Sequence, residues 1–347
     1  MYNVFAVILT YNRKDLLKRC LDAVYSQTRL CEYVIVIDNA SSDGTQQMLS
    51  EGSYPGLMVH VLKDNIGASG GFNAGLRLAY QKGADLVWTM DDDVIPEPGA
   101  LHDLLAANEL LKSKGKKAAF LLSKAVTENG LVTNTPVISN LNNGIGYRDW
   151  PELLELGLVP VQRATFVSIL LPRATLAQHG LPITAMFIWG EDSEFTLRVT
   201  QDIPGYFVGT SKVQHLRQES GPISVIAETN PMRLKLYRHY IRNKLFIARK
   251  FRHLPRYNYS IKSEAYKLSR LIFVLLIRGD FYKAKIVLSG MLESLWFFPV
   301  PEAAETPVEK MKTSMRSLDL QCPKQTGENK ETQDKGSLKL GPVERPG

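Results

Sequence analysis

The sequence predicts an α/β fold: a mainly parallel sheet flanked by helices, followed by a helical C-terminal segment. Three observations carry that expectation. Short β-branched apolar runs alternate with amphipathic helical stretches over the first hundred residues, which is the pattern of strands joined by crossover helices. Polar clusters sit at the ends of those runs, where an open parallel sheet places its ligand crevice. After Pro231 the composition changes to long helical, basic stretches.

Residues 4–9 form the first apolar run, and residues 13–27 follow as a helix with Leu16, Leu17, Cys20, Leu21 and Val24 on one side. Residues 33–37 are a second β-branched run, ended by Asp38 and Asn39. Ser41, Ser42 and Asp43 then offer caps to a helix reaching about Leu49. Residues 57–62 read as a third strand, 74–81 as a helix, 85–90 as a fourth strand and 101–111 as another helix. From 118 to 188 the pattern is less regular: residues 140–146 read as a loop and 166–171 as a strand. Residues 189–200 have helical composition and 205–213 read as a strand. Beyond Pro231 the chain reads as helical to about Phe298, with breaks near Pro255 and Gly279. Residues 301–347 are rich in Lys, Glu, Pro, Thr and Ser and read as a disordered tail.

At 347 residues the chain can bury a full core, and its 44% hydrophobic and 22% charged content is that of an ordinary soluble enzyme. Cys20, Cys31 and Cys322 have neither metal-ligand spacing nor the density of a disulfide framework, which fits a reducing, cytoplasmic setting. The N-terminus lacks the basic region and apolar length of a secretory signal, so residues 4–9 read as a strand. Net charge is +7, yet residues 233–285 hold fifteen Lys/Arg against only Glu264 and Asp280, with ten aromatic residues interleaved. Such a segment suits an anionic membrane surface or a solvated helical subdomain; nucleic acid is not expected, since no binding module is present.

The chemistry concentrates at the strand ends. Asp91, Asp92 and Asp93 follow the apolar run Leu86-Val87-Trp88, and one helix cap would need one carboxylate, not three. Hard oxygen ligands in this position suit Mg²⁺ or Mn²⁺ bridging to phosphates. The first strand ends in Thr10-Tyr11-Asn12-Arg13 and the second in Asp38-Asn39, on the same expected edge. Asn65 to Gly75 is glycine-rich and reads either as a plain tight turn or as a turn leading into a helix N-terminus that attracts an anion. It is neither a dinucleotide fingerprint nor a Walker A loop. Farther on, Trp189-Gly190-Glu191-Asp192 opens a helix; acids there suit the dipole, and a carboxylate beside a cleft can also serve as a general base. His215 follows a strand-like run, either as a structural histidine or as a metal ligand.

Taken together these motifs resemble the family 2 glycosyltransferases of GT-A fold. The resemblance rests on Val7 to Arg13 with Leu17, Ile37 to Thr45, Asn65-Ile66-Gly67, Asp91-Asp92-Asp93, Trp189-Gly190-Glu191-Asp192, and Tyr240-Ile241-Arg242-Asn243. It implies a GT-A domain over residues 1–230, with a donor half to about 115 and an acceptor half from 116, then the basic helical segment 231–300. It implies Asp192 as catalytic base, and Asp91, Asp93 and His215 as ligands of Mn²⁺ or Mg²⁺. Donor and nucleotide contacts fall to Thr10, Tyr11, Asn12, Arg13, Asp38, Asn39, Asn65, Gly71, Asn73 and Asp92, and the acceptor side to Trp189 and Glu191.

The implied reaction is inverting transfer of a sugar from a nucleotide-sugar to a hydroxyl of a surface polysaccharide or lipid-linked glycan, at the inner face of the plasma membrane. Gly70-Gly71-Phe72 followed by Trp88 to Asp93 looks most like the branch that uses UDP-galactofuranose. The alternatives are a dTDP-rhamnose rhamnosyltransferase, a nucleotidyltransferase, whose first turn would be a basic glycine-rich loop, and a non-catalytic nucleotide-sugar-binding protein.

Overall fold

The structure is a computed structural model that describes residues 2–216, 223–252, 260–311 and 313–320. Its first half runs β1 (Val4–Thr10), α1 (Lys14–Tyr25), β2 (Tyr33–Asp38), α2 (Thr45–Glu51), β3 (Leu57–Leu62), α3 (Gly67–Gln81), β4 (Leu86–Asp91), β5 (Val94–Pro96) and α4 (Ala100–Ser113). The second half adds β6 (Leu121–Val126), β7 (Val132–Thr133), β8 (Val137–Ile138), β9 (Leu158–Arg163), β10 (Ile169–Pro172), α5 (Arg173–His179), α6 (Glu191–Val199) and β11 (Gly205–His215). Then come α7 (Pro231–Leu234), α8 (Tyr237–Lys250), α9 (Ile261–Ile277), α10 (Phe281–Ser294) and β12 (Met315–Ser317).

All the strands join one sheet in the order β12-β3-β2-β1-β4-β10-β6-β11-β9-β8, with β5 on β11 and β7 on β6. The four strands β3-β2-β1-β4 are parallel, as the alternation predicts, and so is the pair β6 and β11. The remaining pairings are antiparallel, so the sheet as a whole is mixed. β7, β8 and β9, which no α-helix separates from one another, can enter in either direction.

Every residue of β1 is buried, because helices cover both faces. Val4, Ala6 and Ile8 point to the core beneath α1 and α4, while Phe5, Val7 and Leu9 point to the core beneath α3. A third core, built on Tyr237, Ile241, Leu245, Leu268, Leu275 and Val287, holds α8, α9 and α10 together. In β4, Trp88 is fully buried and its Nε1 donates to Ser168 Oγ at 2.9 Å. From there a hydroxyl chain runs through Ser123 and Ser211 to the carbonyl of Ala100 (2.8, 2.7 and 2.8 Å), satisfying the polar groups of the sheet centre.

Three elements differ from their sequence reading. The glycine-rich stretch expected as a phosphate-facing turn is the first half of α3, which begins at Gly67 and not near Ala74. Its glycines serve close packing: a Cβ at Gly71 would lie 2.2 Å from Leu9, and one at Gly75 would lie 2.4 Å from Val7. Residues 301–311 and 313–320, expected as disordered tail, run back along the sheet, and β12 pairs antiparallel with the β3 edge. Arg77 in α3 anchors that strap, donating to Glu302 and to the carbonyl of Thr306 (2.6 Å). Composition does not reveal an anchor made of one buried cation and a few edge hydrogen bonds. Residues 321–347, the rest of that expected tail including Cys322, and the expected break near Pro255 lie outside the described residues. Finally, the basic segment is not uniformly solvated: Arg242, Arg249, Lys250 and Lys283 turn inward to backbone carbonyls or to Glu194.

Candidate active site

The register places the polar strand ends on one edge. Thr10 is opposite Asp38 and Leu9 is opposite Asp91, so β1, β2 and β4 finish level. Above them opens a cavity of about 750 Å³. It is lined by Thr10, Tyr11, Arg13, Asn39, Asn65, Asp91, Asp92, Asp93, Trp189, Glu191, Asp192 and His215, so it gathers most of the residues singled out in the sequence. A larger groove of about 1060 Å³ lies near the opposite ends of β1 and β4, around Tyr2, Lys112 and Arg173, away from this carboxylate cluster.

Four of the expected donor residues do not line the cavity. Gly71 is packed against Leu9, and Asn73 is turned to the carbonyl of Pro182 (2.8 Å) and to Arg77. Both are occupied by helix packing because α3 starts early. Asn12 instead staples the first two strand-end loops, its Oδ1 accepting from Ser42 N at 2.7 Å. Asp38 is fully buried; Oδ1 accepts from Ser41 N at 2.8 Å and Oδ2 has no hydrogen-bond partner. Asn39 and Asn65 do reach the cavity and brace each other at 3.0 Å.

Electrostatics in the triplet are uneven. Arg13 Nη1 donates to Asp92 Oδ1 (3.2 Å) and Asp93 Oδ2 (2.9 Å), and Thr10 Oγ1 donates to Asp92 Oδ2 (2.8 Å). Burial, reinforced by its two acidic neighbours, holds the Asp91 carboxyl well above the usual range. Burial also raises Asp92, which Arg13 and Thr10 restrain to about 6. For Asp93 burial is outweighed by His215 and Arg13, leaving it below an ordinary aspartate. Burial raises Asp192 too, against a hydrogen bond from Ser193 N (2.5 Å) and the charge of Arg163. Glu191 is raised well above the usual range by burial and by Asp192.

Strand pairing brings His215 to the triplet. In the β5–β11 ladder His215 stands opposite Val94, and Leu216 N donates to the carbonyl of Asp93 at 2.8 Å. His215 Nε2 lies 3.2 Å from Asp93 Oδ1. Its Nδ1 faces Asn134 Oδ1 at 2.7 Å, an oxygen that also accepts from Thr133 Oγ1, so Nδ1 donates there and Nε2 is the nitrogen turned to Asp93. Among the described residues no three His, Cys, Asp or Glu side chains are gathered into a metal-holding group. The donors nevertheless fit a divalent cation: Asp93 Oδ1 is buried without a hydrogen bond, beside an imidazole nitrogen. The carboxylate oxygens suit Mn²⁺ or Mg²⁺, and an added imidazole donor favours Mn²⁺ of the two.

Residues 5–112, from β1 to α4, match the family described as Glycosyl transferase family 2. That stretch, β1 to α4, is of family 2 glycosyltransferase type. Galactofuranosyltransferase GlfT1 of Mycobacterium tuberculosis is 32% identical over 202 residues, covering 57% of this chain and 64% of that protein. The enzyme of the same name from Mycolicibacterium smegmatis is 25% identical over 210 residues, covering 57% and 65%. The chain thus spans just under two thirds of these relatives. Among solved structures, Staphylococcus aureus TarS 1–349 superposes with a TM-score of 0.51 at 18% identity, over 77% of this chain and 68% of that one. GalNAc-T7 with UDP, GalNAc and Mn²⁺ does so at 0.50 and 16% identity, over 74% and 53%. These likenesses show the fold, GT-A, as the sequence motifs imply.

The matched stretch of the glycosyltransferase domain contains the aspartate triplet, whereas Asp192 and His215 lie beyond it. Sequence reading missed Asn134, which orients His215 from a turn with left-handed backbone (φ 51°). Its one signal is a polar residue tolerant of that conformation in a loop. Non-glycine left-handed residues cluster around the site: Asn12, Asn134, Phe187 and Trp189 line or flank the cavity. Each such conformation costs about 1–3 kcal/mol and persists only where surrounding contacts enforce it.

Proposed function

We propose that this protein is a metal-dependent, inverting glycosyltransferase that moves a sugar from a nucleotide-sugar to a hydroxyl of a glycan or lipid-linked glycan. UDP-galactofuranose is the favoured donor. The supporting observation is that a half-buried carboxylate, Asp192, and the Asp93–His215 pair face one cavity at the strand ends of a GT-A sheet. The named activity of the M. tuberculosis and M. smegmatis relatives favours galactofuranose.

In this reading Asp192 accepts the proton of the acceptor hydroxyl as it attacks the anomeric carbon opposite the leaving diphosphate. Burial raises its affinity for that proton, which suits a base working near neutrality. Trp189, beside it, provides an apolar face for the sugar ring. Held by Asp93 and His215 with Asp91, Mn²⁺ or Mg²⁺ would neutralise the diphosphate charge. Arg13 adds a fixed cation beside Asp92 and Asp93, and Thr10 orients Asp92 toward the donor.

We also propose association with the inner face of the membrane. Among the described residues no helix is long and apolar enough to cross one. On α9 and α10, however, Phe273, Ile277 and Phe281 are exposed together with Arg270, Arg278 and Lys285, a pairing suited to anionic lipid. Failure to float with phosphatidylglycerol vesicles at physiological salt would remove this part.

Calorimetry with UDP and dTDP in the presence of Mn²⁺, on wild type and Asp93→Ala, tests the central reading. Metal-dependent UDP binding that the variant loses is expected. A preference for dTDP would move the donor to rhamnose, and no binding of either would overturn the transferase reading.

A further inference from the structure

The segment that leads into α6 is held in an unusual shape. Phe187 (φ 65°), Trp189 (φ 60°) and Gly190 (φ 110°) are all left-handed within four residues, immediately before Glu191 and Asp192. A chain bent this way straightens unless something outside it fixes its carbonyls. That something is α8. Asn243, fully buried, points Nδ2 at three carbonyl oxygens of the segment: Met186 (2.8 Å), Ile188 (3.1 Å) and Trp189 (3.0 Å). Arg242 Nη2 donates to the carbonyls of Ala185 (2.9 Å) and Met186 (3.2 Å), and its guanidinium also donates to Asn243 Oδ1. Thus the amide oxygen is held by Arg242 while the amide nitrogen holds the loop.

The same helix supplies the ring contacts. Trp189 meets Tyr237 edge-on (centroids 5.0 Å apart) and Tyr240 at 6.2 Å, and Phe187 lies 5.0 Å from His239. On the opposite side Ser69 N donates to the Phe187 carbonyl at 3.0 Å. The loop is therefore clamped between the start of α3 and α8. None of the Asn243 contacts reaches α6 itself, so what the amide determines is the angle at which the chain enters α6.

We infer that Asn243, braced by Arg242, is a positioning residue of the transfer reaction: its amide holds the 186–189 carbonyls so that Trp189 and Asp192 face the cavity together. The inference rests on Asp192 being the base. It explains why the residue is an amide. A carboxylate of the same shape could not donate and would place negative charge among three carbonyl oxygens. A glutamine is one methylene too long for a site with no exposure.

The test compares wild type, Asn243→Asp, Asp192→Asn and Leu245→Ala in the full chain. Leu245 is buried in the α8–α10 core and has no part in the site, so it reports loss of packing alone. Four quantities are read: melting temperature, amide exchange of residues 185–192, and kcat and KM from UDP release. The probes are UDP-galactofuranose with octyl galactofuranoside as acceptor. Asn243→Asp is expected to accelerate exchange in 185–192 and to lower kcat about 100-fold, the cost of roughly an ångström of misplacement. Donor KM should change by less than about threefold, since the triplet is untouched. Leu245→Ala should lower the melting temperature with kcat nearly unchanged. Normal exchange in 185–192, a kcat near wild type, or an equal kcat loss in Leu245→Ala overturns the inference. The base assignment fails separately, if Asp192→Asn keeps its turnover, and the exchange result reads the clamp even then.

Discussion

Nε2 of His215 lies 3.2 Å from Oδ1 of Asp93, although Asp93 is in the turn between β4 and β5 and His215 ends β11, far along the chain. The pairing of β5 with β11 carries His215 to that point, and Asn134 turns its ring. The pair is thus a product of sheet topology, held by a neighbour that is not itself a ligand.

On the metal-dependent reading proposed above, Asn134 would control metal binding at a distance. With Asn134→Ala, the hydrogen bond that Nδ1 donates is lost, and the ring no longer holds Nε2 in a fixed direction. Mn²⁺ affinity is expected to fall about 10- to 100-fold, the usual effect of removing such a support. Calorimetric titration of Mn²⁺ with UDP present measures it, with His215→Ala expected to lose more. An unchanged affinity in both variants would remove His215 from the ligand set.

The pH dependence of transfer should report Asp192. A general base works only when deprotonated, and burial raises this carboxyl above its ordinary value. As pH falls, kcat/KM should therefore decline while an ordinary aspartate would still be ionised, and Arg163→Gln should move that limb to still higher pH by removing a nearby positive charge. Asp192→Asn should abolish the limb and lower kcat by two to four orders of magnitude. A limb that Arg163→Gln leaves in place would assign it to another group.

Much of this site was legible before the structure. Asp91, Asp92 and Asp93 stand out because three acids directly after a buried strand have no bland explanation, and the parallel β1-β2-β4 core follows from alternation that both faces of β1 enforce. Gly67 to Gly75 misled for a physical reason. Glycine signals either a free backbone or a helix that must pack very close, and only the positions of Leu9 and Val7 decide between them. Asn134 was not legible at all, and Asn243 stood out only within the Tyr240-Ile241-Arg242-Asn243 motif with no readable role, because single amides act through carbonyl and imidazole partners that only the fold brings near. The strap beyond Pro301 was hidden by a polar composition that its edge pairing does not need to violate.

Gly67 offers a clean measure of that close packing. It is left-handed (φ 77°), and a Cβ would fall 2.1 Å from the Phe187 carbonyl oxygen, which belongs to a clamped loop and cannot yield. Gly83 is also left-handed (φ 88°), but a Cβ there meets nothing within 4 Å. Gly83→Ala should cost only the backbone strain, about 1–2 kcal/mol. Gly67→Ala should cost a further 1–3 kcal/mol for the enforced shift and should disturb the Trp189 segment. Urea unfolding of the two variants tests this, and equal losses would mean that the 187–189 loop is free to move.

Arg77 gives the last prediction. Its side chain is fully buried within α3, and its positive charge is met by Glu302, with Asn73 Oδ1 at 3.0 Å and the Thr306 carbonyl at 2.6 Å as further acceptors. Burying a cation is costly unless an anion faces it, so Glu302→Ala leaves that cost uncovered. Because Glu302 itself is partly exposed and water can replace some of the interaction, the loss should be about 2 kcal/mol, below that of a fully buried pair. Thr306→Ala keeps the carbonyl that Arg77 uses and should be neutral. Truncation after Pro301 should do more than Glu302→Ala, since it also strips β12 from β3 and leaves a parallel sheet with an open edge. Such a chain should unfold at lower urea and self-associate in sedimentation. If it stayed monomeric and as stable as wild type, the strap would be a passive tail whose contact with Arg77 contributes nothing.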